Sequence, residues 1–438
     1  MKPRQVLLFI ACVMLSLGAL CLVLPGCVSW GEKTLRWPTL AEVFDIEPSD
    51  VSIQYSDSLY NIDSLESLEI QDTIPTLAAE QTQPVIPQVH VDSTTDGRGF
   101  LQAFYTALTQ AGERQVRVLH YGDSQIEEDR MTQQIREQLQ KRYGGHGVGL
   151  MPLAQTIPTN TVKQQLYMSN RFVTPTQGPR RYLVYGPKRD QRADGLYGPM
   201  GQVAIMSDSL VSGSEEIKVI CTPQNNNLRY TRWQIFADSS VHYTISGDTV
   251  CLNGRGAVYG LSQESETGVI VDNIPMRGCL GLVFTKMDSN QLRTFYRQEN
   301  VRLIIMQYGG NAIPSNQNPG TIQAIVKGLR EQVQYVHACA PEASILFIGP
   351  SDMIRQVDGE WQTYPMVPYM DKLLRKMAME EQIAYFSLYN WMGGAGSMKQ
   401  WRENGLAGDD GVHFYRSGAR KAGNAVVNWL LEPIENAD

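Results

Sequence analysis

The strongest constraint on the fold is an alternation of short, uninterrupted apolar runs with helical periods. It occurs in two stretches of the chain and is missing between them. Phe100, Phe104 and Leu108 recur every four residues and predict a helix that Gly112 ends. Val116-Arg117-Val118-Leu119-His120 follows as a strand and Gly122-Asp123-Ser124 as a turn. Met131, Ile135, Leu139 and Tyr143 then form one face of a second helix, stopped by Gly144-Gly145. The pattern returns in the last third, with strands expected over 301–306, 345–348 and 384–388 and helices over 322–336, 370–377 and 417–431. Apolar strands separated by helices predict a parallel sheet covered on both faces, because each crossover lays a helix on the sheet.

Residues 161–269 are different in kind. Alternating segments such as Val241-His242-Tyr243-Thr244-Ile245 are separated by Gly, Asn, Asp and Ser clusters, which predicts an all-β, sandwich-like domain set into the α/β domain. Tyr230, Trp233 and Tyr243 within it could stack on sugar rings or fill the sandwich core.

The amino terminus speaks to place. Lys2 and Arg4 precede an uncharged apolar stretch from Val6 to Leu24, which reads as an export signal and is nearly long enough to span a bilayer. Basic residues ahead of it put the body outside the cytoplasm. Leu24-Pro25-Gly26-Cys27 resembles a bacterial lipobox, in which the cysteine is lipidated after cleavage. The expectation is an extracytoplasmic protein of the periplasm or cell envelope, held by residues 6–24 or by a lipidated Cys27.

Charge is unevenly spread. Of a net −7, residues 1–36 contribute +3 and residues 37–97, with 12 carboxylates and no Lys or Arg, contribute −12, which leaves +2 for the rest. The acidic, Ser-, Thr- and Pro-rich stretch reads as a solvated tether. A nearly neutral body without a basic run gives no footprint for nucleic acid. Four cysteines lie in the body: Cys221, Cys251, Cys279 and Cys339. Cys221 and Cys251 share one β region, as a disulfide or as two buried thiols. There is no CxxC, HExxH or His/Cys cluster, so neither a metal nor another cofactor is expected.

Three segments carry candidate chemistry. Ser124 sits between a buried strand and a helix, at the carboxyl end of a strand where α/β sheets bind ligands. It reads as an N-cap or, with a base in reach, as a nucleophile. Asp410-Gly411-Val412-His413 lies in a loop before the last helix, where a carboxylate can orient an imidazole base; Asp409 is the alternative partner. Tyr308-Gly309-Gly310-Asn311 follows a strand, where glycines permit a sharp turn and the Asn amide can donate to a developing oxyanion. His120 reads as a packed strand residue.

Together these segments resemble the blocks of the SGNH, or GDSL-type, hydrolase superfamily. Gly122-Asp123-Ser124 resembles its GDS block, continued here by Gln125 in place of Leu; Gly309-Gly310-Asn311 resembles the GxN block, and Asp410 to His413 the DxxH block. The resemblance implies a flavodoxin-like, three-layer α/β/α fold. It also implies Ser124 as nucleophile, His413 as base, Asp410 as its orienter and Asn311 as oxyanion donor. The remaining block is a glycine whose N–H completes the oxyanion hole: Gly278, with Gly281 as alternative. A GDS segment separated from the other blocks by a β domain is similar to the arrangement in bacterial peptidoglycan O-acetylesterases, where a carbohydrate-binding-like module is inserted.

The expected organisation is a signal or anchor at 1–30, an acidic linker at 31–96, the hydrolase domain at 97–160 and 270–438, and the inserted β-sandwich at 161–269. The expected activity is that of a serine esterase removing O-acetyl groups from a cell-envelope glycan. An O-acetyltransferase using the same site, and a glycan-binding protein without catalysis, are the alternatives.

Overall fold

The computed structural model describes residues 27–30, 33–36 and 96–435, apart from 154, 156, 169–170, 174–183, 187–197, 201–215, 226–227, 238–240, 255–257 and 288. The export segment at 6–24 lies outside these residues, as does the acidic linker except for 33–36 and 96. The chain divides into two units, Met1–Pro75 and Thr76–Asp438. In the first, Cys27–Trp30 and Lys33–Arg36 pair as an antiparallel hairpin. Among the described residues no helix is long and apolar enough to cross a membrane.

The second unit is built on one sheet of five strands: β1 (Gln115–Gly122), β2 (Gly268–Pro275), β3 (Val301–Gln307), β4 (Ser344–Ile348) and β5 (Ala384–Phe386). Every neighbouring pair is parallel and the order is β2-β1-β3-β4-β5, that of a flavodoxin-like, doubly wound sheet. The helices are α1 (Gln102–Leu108), α2 (Thr132–Tyr143), α3 (Ser289–Gln298), α4 (Pro319–Cys339), α5 (Met366–Glu380), α6 (Leu388–Met392), α7 (Ser397–Glu403) and α8 (Arg416–Glu435). Val118, Val271, Ile305 and Leu346 on one sheet face pack with Phe104 of α1, Ile135 and Leu139 of α2 and Val426 and Leu430 of α8. On the other face Tyr385 of β5 lies parallel to Phe347 of β4 and donates to Asp371 of α5, and α4 packs against α5. Both faces are dry, which explains why the strands carry no polar alternation.

Two local expectations are corrected. Phe100 is 42% exposed, and Leu101 takes the inward place ahead of Phe104 and Leu108. Residues Arg98–Leu101 form a 3-10 turn, whose tighter period rotates the apolar face before α1 begins. The strand expected to reach Leu388 ends at Phe386, because the Ser387 hydroxyl accepts from the Asn390 N–H (3.0 Å) and caps α6.

Between α2 and β2 the described residues form antiparallel strands with turns between them, and these begin before the expected 161, because Gly149–Met151 pairs with Val258–Glu264. Arg232–Ala237, Val258–Glu264 and Gly149–Met151 form an antiparallel sheet of three strands. Val241–Ser246, Thr249–Gly254, Ile217–Pro223, Val162–Met168 and Arg171–Val173 form one of five. The two share an apolar core that includes Met151, Leu166, Val219, Leu252 and Leu261. Cys221 and Cys251 are free thiols: their strands are adjacent, but Cys251 lies opposite Lys218, three residues from Cys221. Tyr230 and Trp233 meet edge to face at 5.3 Å, and both donate to the Gly247 carbonyl; Tyr243 is 54% exposed.

At the junction of this module with the sheet, Arg117 of β1 is fully buried. It pairs with Asp272 of β2 (2.9 Å), with Glu299 at the end of α3 (3.1 Å) and with Glu264 of the module, which also binds Arg232. Burial works against the charge of Glu264, but Arg117 and the Ser262 hydroxyl outweigh it and hold that carboxyl down at about 2.

Candidate active site

The carboxyl ends of β1, β2 and β3 converge at the point where the strand order reverses, and the loops that leave them carry the candidate residues. Ser124 follows β1 directly and is buried. The cap of the following turn is Asp123, whose carboxylate accepts from the Gln125 N–H (2.9 Å). That leaves the Ser124 hydroxyl free of the capping role a serine at this place often has. It hydrogen-bonds His413 Nε2 at 2.7 Å, and His413 Nδ1 bonds Asp410 Oδ2 at 2.6 Å. A carboxylate can only accept, so Nδ1 carries a proton; in the neutral ring Nε2 is then the acceptor and the serine donates to it.

Asp410 is held by its own loop. Its Oδ1 accepts from the N–H groups of Val412 (2.9 Å) and His413 (3.0 Å). Partial burial works against its charge, but the bonds from the His413 ring and from these two N–H groups prevail and hold the carboxyl down at about 2. Asp409 points away and pairs with Arg402 (3.4 Å), so Asp410 and not Asp409 faces the imidazole. Arg402 also donates to the Gly408 carbonyl (3.1 Å) and lies 4.0 Å over the Trp361 ring, which braces the start of the loop.

Asn311 lies just past β3, where Gly309 adopts φ 117°, a left-handed conformation that turns the chain back over the strand end. The Asn311 amide donates to Asp123 Oδ2 (3.0 Å) and to the Cys279 carbonyl (3.2 Å). Asp123 thus ties the GDS turn to the GxN turn, a link invisible in either segment alone. Burial pushes its carboxyl up to about 6, against the Gln125 N–H and the nearby His413 that favour its charge. Gly278 follows β2 with φ 72°. Among the described residues the Gly278 N–H donates to no backbone acceptor, whereas the Gly281 N–H is taken by Cys279 Sγ (3.1 Å).

His120 lies within the sheet. It bonds Gln307 (3.1 Å) and Thr132 (2.9 Å), and burial lowers it to about 4, so it packs neutral. Among the described residues no group of three or more His, Cys, Asp or Glu side chains is arranged to hold a metal.

Neither a family model nor a curated protein sequence matches the chain. Solved structures do. A peptidoglycan O-acetylesterase is similar over 80% of this chain and 99% of its own, with a TM-score of 0.56 and 20% identity. A carbohydrate acetylesterase from Sinorhizobium meliloti covers 37% of this chain and 79% of its own (TM-score 0.28, 16% identity), and an acetyl xylan esterase covers 36% and 79% (TM-score 0.25, 15% identity). The long match spans the sheet and the inserted module together. The chain therefore shares the fold of that peptidoglycan O-acetylesterase, here a parallel α/β/α sheet interrupted by an all-β module.

Proposed function

We propose that the protein is an extracytoplasmic serine esterase that removes O-acetyl groups from a cell-envelope glycan, with peptidoglycan as the polymer. The observation that carries this reading is the hydrogen-bonded chain from Ser124 through His413 to Asp410. His413 Nε2 takes the Ser124 proton as the oxygen attacks the ester carbonyl. The tetrahedral oxyanion is met by the N–H groups of Ser124 and Gly278 and by Asn311, which keeps its bond to Asp123 and exchanges the one to the Cys279 carbonyl. The protonated His413 gives its proton to the departing sugar oxygen. Water, deprotonated by the same imidazole, then clears the acetyl-serine and releases acetate.

The polymer is suggested by the likeness to a peptidoglycan O-acetylesterase over nearly the whole of that protein. The location is suggested by Lys2, Arg4 and the apolar stretch from Val6 to Leu24, with residues 6–24 or a lipidated Cys27 as the membrane anchor. The inserted module is assigned to glycan recognition. The test is acetate release from p-nitrophenyl acetate, and then from O-acetylated peptidoglycan, by the full chain beside its Ser124→Ala variant. Release that disappears with Ser124 is the expected result. A folded pair with equal release on both substrates removes Ser124 as nucleophile, and transfer of acetyl to an added sugar without acetate release makes the protein a transferase.

A further inference from the structure

Ser124 and His413 are 289 residues apart, and among the described residues no strand pairing joins the loops that carry them. The His413 loop is tied to its own surroundings by an isolated bridge between Ala407 and Phe414 and by the Gly408 N–H, which donates to the His413 carbonyl (2.8 Å). Those bonds fix the loop's shape. They do not set its distance from the nucleophile.

Two side chains of the Ser124 loop reach across to the His413 loop. The Gln125 amide donates to the Val412 carbonyl (2.7 Å), and its oxygen faces the Phe414 N–H (3.5 Å). The Arg130 guanidinium donates to the Phe414 carbonyl (2.9 Å), to the Ser124 carbonyl (2.8 Å) and to the Glu127 carbonyl (3.0 Å). The carbonyls on both sides of His413 are thus gripped from the nucleophile's loop, and Arg130 holds the nucleophile's own carbonyl in the same fork. Two residues of the left-handed region, Glu128 (φ 59°) and Asp129 (φ 61°), fold Arg130 back to reach it. Asp129 is buried and paired with Arg136, which anchors that strained turn to the Val271 carbonyl. A planar guanidinium serves three carbonyls in fixed directions, which a lysine cannot do.

We infer that Gln125 and Arg130 are positioning residues that register the Ser124 loop against the His413 loop and so set the bond between nucleophile and base. This rests on the reading of Ser124 and His413 given above. It also gives a role to the residue at which the GDS block departs from its usual Leu. Neither side chain touches the reacting atoms. Their loss lets the imidazole drift, and a displacement of about 1 Å between reacting groups costs on the order of 100-fold in rate.

The experiment compares the full chain with Gln125→Met, which keeps side-chain volume without its polar atoms, and with Arg130→Lys. With p-nitrophenyl acetate, kcat is expected to fall by roughly 10- to 100-fold in each while KM stays within about twofold. Circular dichroism checks that both variants fold; should one not fold, the other carries the test. The nitrogen-15 spectrum of the histidines, with His413 assigned by its loss in His413→Gln, reads the same contact without turnover. The Nδ1 proton shared with Asp410 is expected to persist while the Nε2 signal moves to that of a ring without a serine donor, as in Ser124→Ala. Folded variants with parental kcat and a parental Nε2 signal overturn the inference. If the parent lacks Ser124-dependent turnover, the function fails on its own, and the Nε2 signal alone then decides whether the two side chains set the contact.

Discussion

Strand β1 carries a polar network at each end, the first buried and the second open to solvent at Asp410, and the two are built to different rules. At its start Arg117 is enclosed by Glu264, Asp272 and Glu299, with every charge turned onto another charge and all of them away from water. At its far end Ser124, His413 and Asp410 form an open chain that ends at the serine oxygen. The first network is enclosed by protein and joins the module to the sheet through Glu264. In the proposed reaction the second is unfinished until a substrate completes it. A polar cluster enclosed among opposite charges ties elements together, whereas one that leaves a reactive atom over can do chemistry.

Removing one member of each network should separate these roles. Ser124→Ala is expected to reduce acetate release by roughly 10⁴-fold or more with hardly any change in melting temperature, read by calorimetry on the enzyme used for the assay. Arg117→Met should do the reverse. Three buried carboxylates lose their shared partner, at a cost of about 3–5 kcal/mol in denaturant unfolding, while the kcat of the folded fraction holds. A stable Arg117→Met protein would mean that the carboxylates protonate without penalty and that the module is held by apolar contact alone.

Asn311→Ala is the next smaller effect, about 10²- to 10³-fold in kcat, or about 3–4 kcal/mol of transition-state stabilisation. Full turnover in that variant would leave the oxyanion to the backbone N–H groups of Ser124 and Gly278. The smallest concerns Asp123, whose carboxyl sits at about 6 in the folded protein. A folded value above the unfolded one near 3.8 means that its contribution to stability is fully present below about 4 and lost as pH rises through about 6. Asp123→Asn should therefore melt above the parent at pH 8, with the gap closing towards pH 4, and should still lose activity because Asn311 is less firmly held. Melting curves at the two pH values check this. Asp410 behaves oppositely. Held at about 2, it stays ionised through the whole range in which an esterase is assayed, so its contribution is lost only as pH falls through about 2.

How far the sequence could be read follows from the range of each interaction. Asp410 and His413 are three residues apart in one glycine-bounded loop, so their pairing was visible as a short motif. The sheet was legible because Val116 to Tyr121 and Leu303 to Met306 are buried on both sides, and burial on both sides leaves unbroken apolar runs. Arg117 stood in the middle of such a run without a visible reason, since its partners lie 147, 155 and 182 positions further on. Arg130 was hidden for the same cause, being an ordinary polar residue of a loop until Phe414 arrives from the other end of the chain. Phe100 misled because a 3-10 turn precedes the helix, and a period of four could not show where the winding tightens.

The order β2-β1-β3 has a consequence for how the chain comes to be folded. β1 is the first strand of the sheet to be made, yet both of its neighbours are among those made later: Val116 waits for Val269 on one side and Arg117 for Val301 on the other. The whole β module must emerge in between, and can assemble its own core meanwhile. Until then β1 presents two unpaired edges and a run of side chains that end up dry, the kind of segment that pairs with the wrong chain. Closing the sheet is thus a late, long-range event, and the folding of this protein is expected to be slow and sensitive to crowding by its own unfinished copies.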